Sequence, residues 1–583
     1  MELSANFGEL RPNHWHMGLD IRTDARENLP VYAAAAGYIA KAGVRPQSFG
    51  RFIIINHPNG LSTLYAHLND FYPELEQYVT EQQYKQESWA VELTFSNKQF
   101  PVSKGTFIAY SGNTGGSKGP HLHFEVIDTR SDKRLNPLLF GFPLQDKVPP
   151  SLVRLAMYDR SRSVYDQAPV FFPLKNTDSG YIIPKMPVIR TGLSKLSFAL
   201  QMYDKTTPGG SPNGVFSATL YQDEVAETAF ILDSIDYDET AYINSHIDYK
   251  HDYNGGAYLQ HLSRLPGDNG VAYHPLHSDG MIRLQDTLVH AMSVEVKDAN
   301  GNAVQLRFAI QYSDSLAALL PARMSSPRLA PQRVNEVNKE DFRMHLPETS
   351  LYDSVPAYYY RDNTAAYNAV TGKHQFNDPS YPVHDDFDVY IKPTRTIPAE
   401  WKSKLLMVKS GRGTTIKKPE WHDGWLTASF GDFGSFQVFA DLTPPSVNEL
   451  GKGDTINLSA ATRIVFTPTD NYGIRKFRAE LDSQWIRFTN DKTRNWIYRF
   501  DERCPYGIHH LKVTVEDYVG NTTVKEWWFR REPYTPPPPK KKPAKKTSSK
   551  KTDSKKKDSR KTDTKKNSTS KKTTTAKKPV KKK

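Results

Sequence analysis

Two short stretches carry the side chains that could do chemistry. Near the start, His16 and Asp20 stand four residues apart in His16-Met17-Gly18-Leu19-Asp20. Far along the chain, His121 and His123 flank Leu122 in Gly119-Pro120-His121-Leu122-His123-Phe124-Glu125-Val126. Leu122, Phe124 and Val126 alternate with the polar residues, the period of a β-strand, so both imidazoles share one strand face and can be aimed at one point. A zinc centre that does chemistry takes about three N, O or S ligands and keeps one position open. His16, Asp20 and His123 meet that requirement, and an ion there could acidify a water and polarise a carbonyl. His14 only flanks the first stretch, and His57, between a strand and a turn, reads as structural.

The elements that must position these residues read as strands and turns. Val31–Ala40 and Phe52–His57 are strand-like, the second ending at Pro58-Asn59-Gly60, and Leu61–Leu68 returns to make a hairpin. Strict alternation puts Tyr65 and His67 on one face of that strand and Leu64, Ala66 and Leu68 on the other. Residues 70–100 read as an insertion. Leu75, Tyr78 and Val79 have helical spacing behind Pro73, which suits a first turn, and a hairpin follows through Phe95. Such an insertion could wall a cleft or simply buttress the surface. Four glycines from Gly112 to Gly119 allow close approach to a ligand and a sharp turn into the His121 strand. The loop lacks the GK[ST] and following helix of a phosphate cradle.

The order of these motifs is HxxxD, then Leu64-Tyr65-Ala66-His67-Leu68, then Ser111-Gly112-Asn113-Thr114-Gly115, then Gly119-Pro120-His121-Leu122-His123-Phe124-Glu125. That order resembles the lysostaphin/LytM-type zinc endopeptidases, which cut peptide cross-links in bacterial cell walls. The resemblance covers roughly residues 5 to 145, a quarter of the chain. It implies an N-terminal antiparallel β-sheet metallopeptidase domain holding Zn2+ on His16, Asp20 and His123. His67 and His121 match the family's non-ligand histidines and would share general-base work and stabilisation of the oxyanion. The implied substrate is the stem peptide of peptidoglycan, and a D-alanyl cross-link is favoured over a glycine bridge because no recognisable glycine-bridge-targeting domain is present. The implied location is the cell envelope, periplasm or outer surface. Met1-Glu2-Leu3-Ser4 leads almost directly into the site with no basic or apolar leader, so this location assumes an export signal absent from this sequence. The alternative keeps the fold and drops the chemistry: an inactive scaffold that activates a wall amidase, or an envelope adhesion protein. Such scaffolds usually lose ligands, and here the full set survives.

Composition bounds the remainder. A chain of 583 residues holds several cores, and 12% aromatics with 40 prolines and 34 glycines suits a mainly β protein. The net charge of +13 is misleading until located: Lys540–Lys583 carries +18, leaving the body at −5. An acidic body without an aromatic-and-basic motif argues against a nucleic-acid binder. The Lys-rich tail, expected to be disordered, could instead meet anionic envelope polymers. Cys504 is the only cysteine, which excludes an intramolecular disulfide, and no apolar run is long enough for a transmembrane segment.

The predicted domains are the peptidase at 1–148, an Ig-like β-sandwich at 149–315 with an insertion at 233–280, a β-rich unit at 316–443, a second Ig-like sandwich at 444–532, and a Pro-rich linker with the basic tail at 533–583. The two sandwiches read as copies of one module. Asp146-Lys147-Val148-Pro149-Pro150-Ser151 returns as Asp441-Leu442-Thr443-Pro444-Pro445-Ser446, and Asp298-Ala299-Asn300-Gly301-Asn302 returns as Asp517-Tyr518-Val519-Gly520-Asn521. The insertion holds His246, His251, His261, His274 and His277 with Asp248 and Asp252. Their spacing matches no ligand template, and in a loop-like stretch they read as solvated or locally hydrogen-bonded side chains. The polar run Ser325–Asn338 reads as a linker.

Overall fold

The site is built on one antiparallel sheet. Its strands are β1 (Leu3–Ala5), β2 (Leu19–Arg22), β3 (Gly37–Arg45), β4 (Gly50–Asn56), β5 (Leu61–Phe71), β6 (Val91–Thr94), β7 (Phe107–Ser111) and β8 (His121–Asp128). The main path runs β1-β2-β8-β5-β4-β3, with β6 on the edge of β3 and β7 beside the end of β5. The computed structural model describes residues 2–321, 326–362, 366–492 and 494–536; the Lys-rich tail lies outside the described residues. Met1–Pro533 form one compact unit, mainly β throughout. Among the described residues no helix is long and apolar enough to cross a membrane.

The β4–β5 hairpin forms as its turn residues dictate, with Asn56 opposite Ser62 and Gly60 at φ 82°. Pairing then slips: Ile53 faces Tyr65 but Arg51 faces Leu68, so β5 carries one extra residue. His67 takes a left-handed φ of 59° in this stretch, a conformation costing a non-glycine residue about 1–3 kcal/mol. Beyond the bulge Leu68 joins Tyr65 and Phe124 in the main apolar core, whereas Leu64 and Ala66 pack with Phe52 and Ile127 on the opposite face. The His67 ring lies 4.8 Å from that of His121, whose strand face is opposite Phe124. Strict alternation had put His67 with Tyr65; the bulge overturns that and turns the imidazole away from Tyr65.

In the 70–100 insertion, α1 (Pro73–Lys85) starts on Pro73, carries Glu74 and Glu76 in its first turn and Lys85 in its last, and buries Leu75 and Val79. Val91–Thr94 does not close a hairpin on itself but pairs antiparallel with β3.

The cores do not follow a string of separate beads. Phe7, Trp15 and Met17 from the N-terminal segment belong to one apolar cluster with Leu200, Val294 and Phe308, which continues to Phe342 and Phe436. The last sheets close separately around Phe466, Val513 and Phe529. The stretch 233–280 is not the loop-like excursion expected. His246, Asp248 and His261 are buried, His246 sharing hydrogen bonds with the Tyr273 hydroxyl and Gln260 at 3.0 Å each. Asp248 accepts from Tyr158 Oη at 2.8 Å. Nor does the polar run before residue 339 behave as a linker: Arg328–Leu329 pairs with Val355–Pro356, and Asn335–Asn338 forms an edge strand.

Candidate metal centre

Antiparallel pairing of β2 and β8 sets Asp20 directly opposite His123, and the turn before β2 folds His16 over the same face. Gly18 lets that turn lie on β8, because a Cβ there would stand 2.4 Å from the Phe124 carbonyl oxygen. The three residues expected to bind metal come together, all buried. His16 Nε2 lies 3.0 Å from His123 Nδ1 and 3.0 Å from Asp20 Oδ1, and His123 Nδ1 lies 2.9 Å from the same oxygen.

The other ring nitrogens fix which lone pairs converge. His16 Nδ1 donates to the Asn6 carbonyl at 2.7 Å, leaving Nε2 as the free donor atom. His123 Nε2 is held by Glu125 Oε1 at 2.9 Å, leaving Nδ1. Arg11 donates to the second oxygen of Asp20 at 2.6 Å. Two imidazole nitrogens and one carboxylate oxygen in a triangle of 2.9–3.0 Å fit a four-coordinate zinc, whose ligand atoms, about 2.0–2.2 Å from the ion, are separated by about 3.3 Å. The hydrogen-bonded far sides match the outer partners such ligands take.

The electrostatics suit a cation. Burial pushes the His16 imidazole down to about 4 despite Asp20. Burial acts the same way on His123, but hydrogen bonds to Asp20 and Glu125 outweigh it and lift the ring to about 9. For Asp20 burial is overcome by hydrogen bonds from His121, His123 and His16, which hold the carboxyl far below its usual range. A proton on His123 therefore stands where a metal would bind.

His67 and His121 flank this triangle. His67 Nδ1 donates to the Thr114 carbonyl at 3.0 Å, and His121 Nδ1 to the Gly119 carbonyl at 2.8 Å. Each ring is thereby oriented by its Nδ1, and His121 Nε2 reaches Asp20 Oδ1 at 3.4 Å. Burial, with the charges of His123 and His121, pushes His67 down to about 3, so it is neutral at ordinary pH. The glycine loop packs closely on the protein itself: a Cβ on Gly112 would stand 2.1 Å from Asn69 Oδ1, and one on Gly115, at φ 64°, 2.2 Å from the Gly50 nitrogen. His57 bonds the Ala36 carbonyl and Thr63, a structural place, and His14 bonds the Pro12 carbonyl at the surface.

Several supporting residues escaped the sequence reading. Glu125, fully buried, ties His123 to Arg134 Nε at 3.3 Å and accepts from Tyr237 Oη at 2.7 Å. Arg134 stacks over the Tyr237 ring at 4.2 Å. The position of Glu125, two residues past His123 on one strand face, was a usable signal; nothing local marks Tyr237, which arrives from the 233–280 stretch. Beyond the site, Gln47 N donates to the Asp491 carbonyl at 3.2 Å and Lys492 Nζ to the Ser117 carbonyl at 2.6 Å. Arg487 donates to Thr80 and Gln83 on α1, whose Tyr84 packs on Trp485. The insertion thus carries the last β module on α1.

The pattern of peptidase family M23 matches residues 14–84, which include His16, Asp20 and His67, and a Zu5-like domain matches residues 327–441. A DD-carboxypeptidase/endopeptidase, Mpg, of Neisseria meningitidis serogroup B is 32% identical over 129 residues, 22% of this chain and 24% of that protein. The peptidoglycan DD-endopeptidase ShyA of Vibrio cholerae is 28% identical over 138 residues, 24% of this chain and 26% of that protein. The catalytic domain of lysostaphin from Staphylococcus simulans aligns at 24% identity over 23% of this chain and 87% of that domain, with a TM-score of 0.17. The chain spans about a quarter of the length of the curated relatives it matches. The N-terminal quarter is thus similar to peptidase family M23, the lysostaphin/LytM type.

Proposed function

We propose that this domain is a zinc endopeptidase that cuts peptide cross-links of bacterial peptidoglycan in the cell envelope. The observation that carries the reading is the triangle of His16 Nε2, Asp20 Oδ1 and His123 Nδ1, each with its far side held by another hydrogen bond. Zinc held there would supply Lewis acidity toward the scissile carbonyl and an acidified water. His67, kept neutral and aimed by the Thr114 carbonyl, can take the proton of that water through Nε2. His121, aimed by the Gly119 carbonyl on the side of Asp20, can donate to the developing oxyanion. Glu125, Arg134 and Tyr237 fix the His123 ring, and burial of the triangle keeps bulk water from competing for its donors.

A D,D-linked stem peptide is the substrate class, supported by the names of the Neisseria and Vibrio relatives. The intact donor set speaks against a metal-free scaffold. The test is metal analysis of the purified protein with muropeptide profiling of digested walls. One equivalent of zinc and cleavage by the wild type, both lost in His123→Ala, support the reading. Cleavage persisting in His123→Ala, or no cleavage with zinc bound, overturns it.

A further inference from the structure

The two β-sandwich modules each hold a second kind of acidic site. In the first, Asp146, Asp204 and Asp298 present carboxylate oxygens within 4.8 Å of one another; in the second, Asp441, Asp470 and Asp517 do the same. Each trio joins three distant segments: the entry into the module, the loop after an apolar strand, and the hairpin between the last two long strands, Val289–Lys297 with Ala303–Tyr312 and Gly507–Asp517 with Thr522–Arg531.

The two constellations share a common set of bonds, to which the second adds Asn471 Nδ2 donating to Asp441 at 3.0 Å and the Tyr472 and Gly473 amides donating to Asp470. Asn302 Nδ2 donates to the Asp146 carbonyl at 3.3 Å and Asn521 Nδ2 to that of Asp441 at 3.0 Å. The same amides reach Asp298 Oδ2 and Asp517 Oδ2 at 2.7 and 2.6 Å. Val148 N and Thr443 N cap Asp146 and Asp441 at 2.9 and 3.2 Å.

Those bonds leave carboxylate oxygens over. Asp204 is 2% exposed and Asp441 0%, yet Asp204 Oδ1, Asp441 Oδ2 and Asp470 Oδ1 are buried with no hydrogen-bond partner. Among the described residues none of the six aspartates forms an ion pair, although a buried carboxylate without a counter-charge is costly. All donors are oxygen, which suits a hard cation and not zinc. A cage of three carboxylates suits Ca2+, which takes six to eight oxygen ligands, whereas Mg2+ is usually held by only one or two carboxylates.

We propose that each module binds one Ca2+ through its three aspartates, clamping the entering chain to the final hairpin. Equilibrium dialysis of the full chain against about 1 mM radiolabelled Ca2+, in the range of extracellular modules, tests this with zinc supplied beforehand so that His16, Asp20 and His123 do not contribute. The expected result is two Ca2+ per chain, one in Asp204→Asn, one in Asp470→Asn and none in the double variant, with a Ca2+-dependent rise in Tm that shrinks in the same steps. No Ca2+ bound to the wild type, two retained in the double variant, or complete displacement by equimolar Mg2+ each overturns it. Should a variant not fold, the wild-type stoichiometry and the Mg2+ competition still decide.

Discussion

The centre at His16, Asp20 and His123 and the twin aspartate trios are both buried convergences of titratable side chains, yet their far sides differ. Every donor of the first is oriented by another group: Asn6 behind His16, Arg11 behind Asp20, Glu125 with Arg134 and Tyr237 behind His123. The trios are held by backbone and asparagine donors, and among the described residues none of their aspartates forms an ion pair. Mixed nitrogen and oxygen donors beside two flanking imidazoles suit chemistry; all-oxygen donors at a joint between segments suit a clamp. The lesson is that donor type and the groups behind it, more than acidity, separate a reaction centre from a brace.

Removing a donor from the first site should give the largest effect. His16→Ala or His123→Ala is expected to abolish bound zinc and wall cleavage, by more than about a thousandfold, while leaving Ca2+ stoichiometry at two; metal analysis and muropeptide release read both. Next, His67→Ala and His121→Ala should keep zinc but lower kcat by about 10²–10⁴, the range for a lost proton-transfer group. If either loses zinc as well, the distinction between donor and flanking histidine fails.

Tyr237→Phe deletes the hydroxyl on Glu125 from a separate region of the chain and should weaken zinc about 10–100-fold, measured by competition with a chromophoric chelator. The smallest effect is in pH. The free protein holds a proton on His123 up to about 9, and zinc must displace it. Zinc affinity is therefore expected to rise with pH, about tenfold per unit below 9, and to level above it. His16, down at about 4, adds a second proton only in acid. The Ca2+-dependent Tm shift should show no dependence on His123→Ala.

Much of the site was legible because its signals are local. The HxxxD and HxH spacings, with the family resemblance, single out His16, Asp20 and His123 as candidate donors, period-2 alternation puts His121 and His123 on one face, and Pro73 with Leu75 and Val79 announces the helix. The hairpin at Pro58-Asn59-Gly60 and the repeat of the aspartate and Asp-x-x-Gly-Asn motifs were also readable. The same rule of alternation misplaced His67, since an extra residue in a strand is decided by its partner's register and by what packs on either side.

By itself, then, the order of residues singled out the candidate donors, the strand that carries His121 and His123 and the repeated aspartate motifs, all encoded within a few positions of one another. Only the tertiary structure decided the left-handed turn at His67, the arrival of Tyr237 behind Glu125, the seating of the last module on α1 and the meeting of three aspartates from three segments. These depend on contacts between residues tens to hundreds of positions apart, whose free energy comes from burial shared between elements and leaves no periodic trace in any one of them.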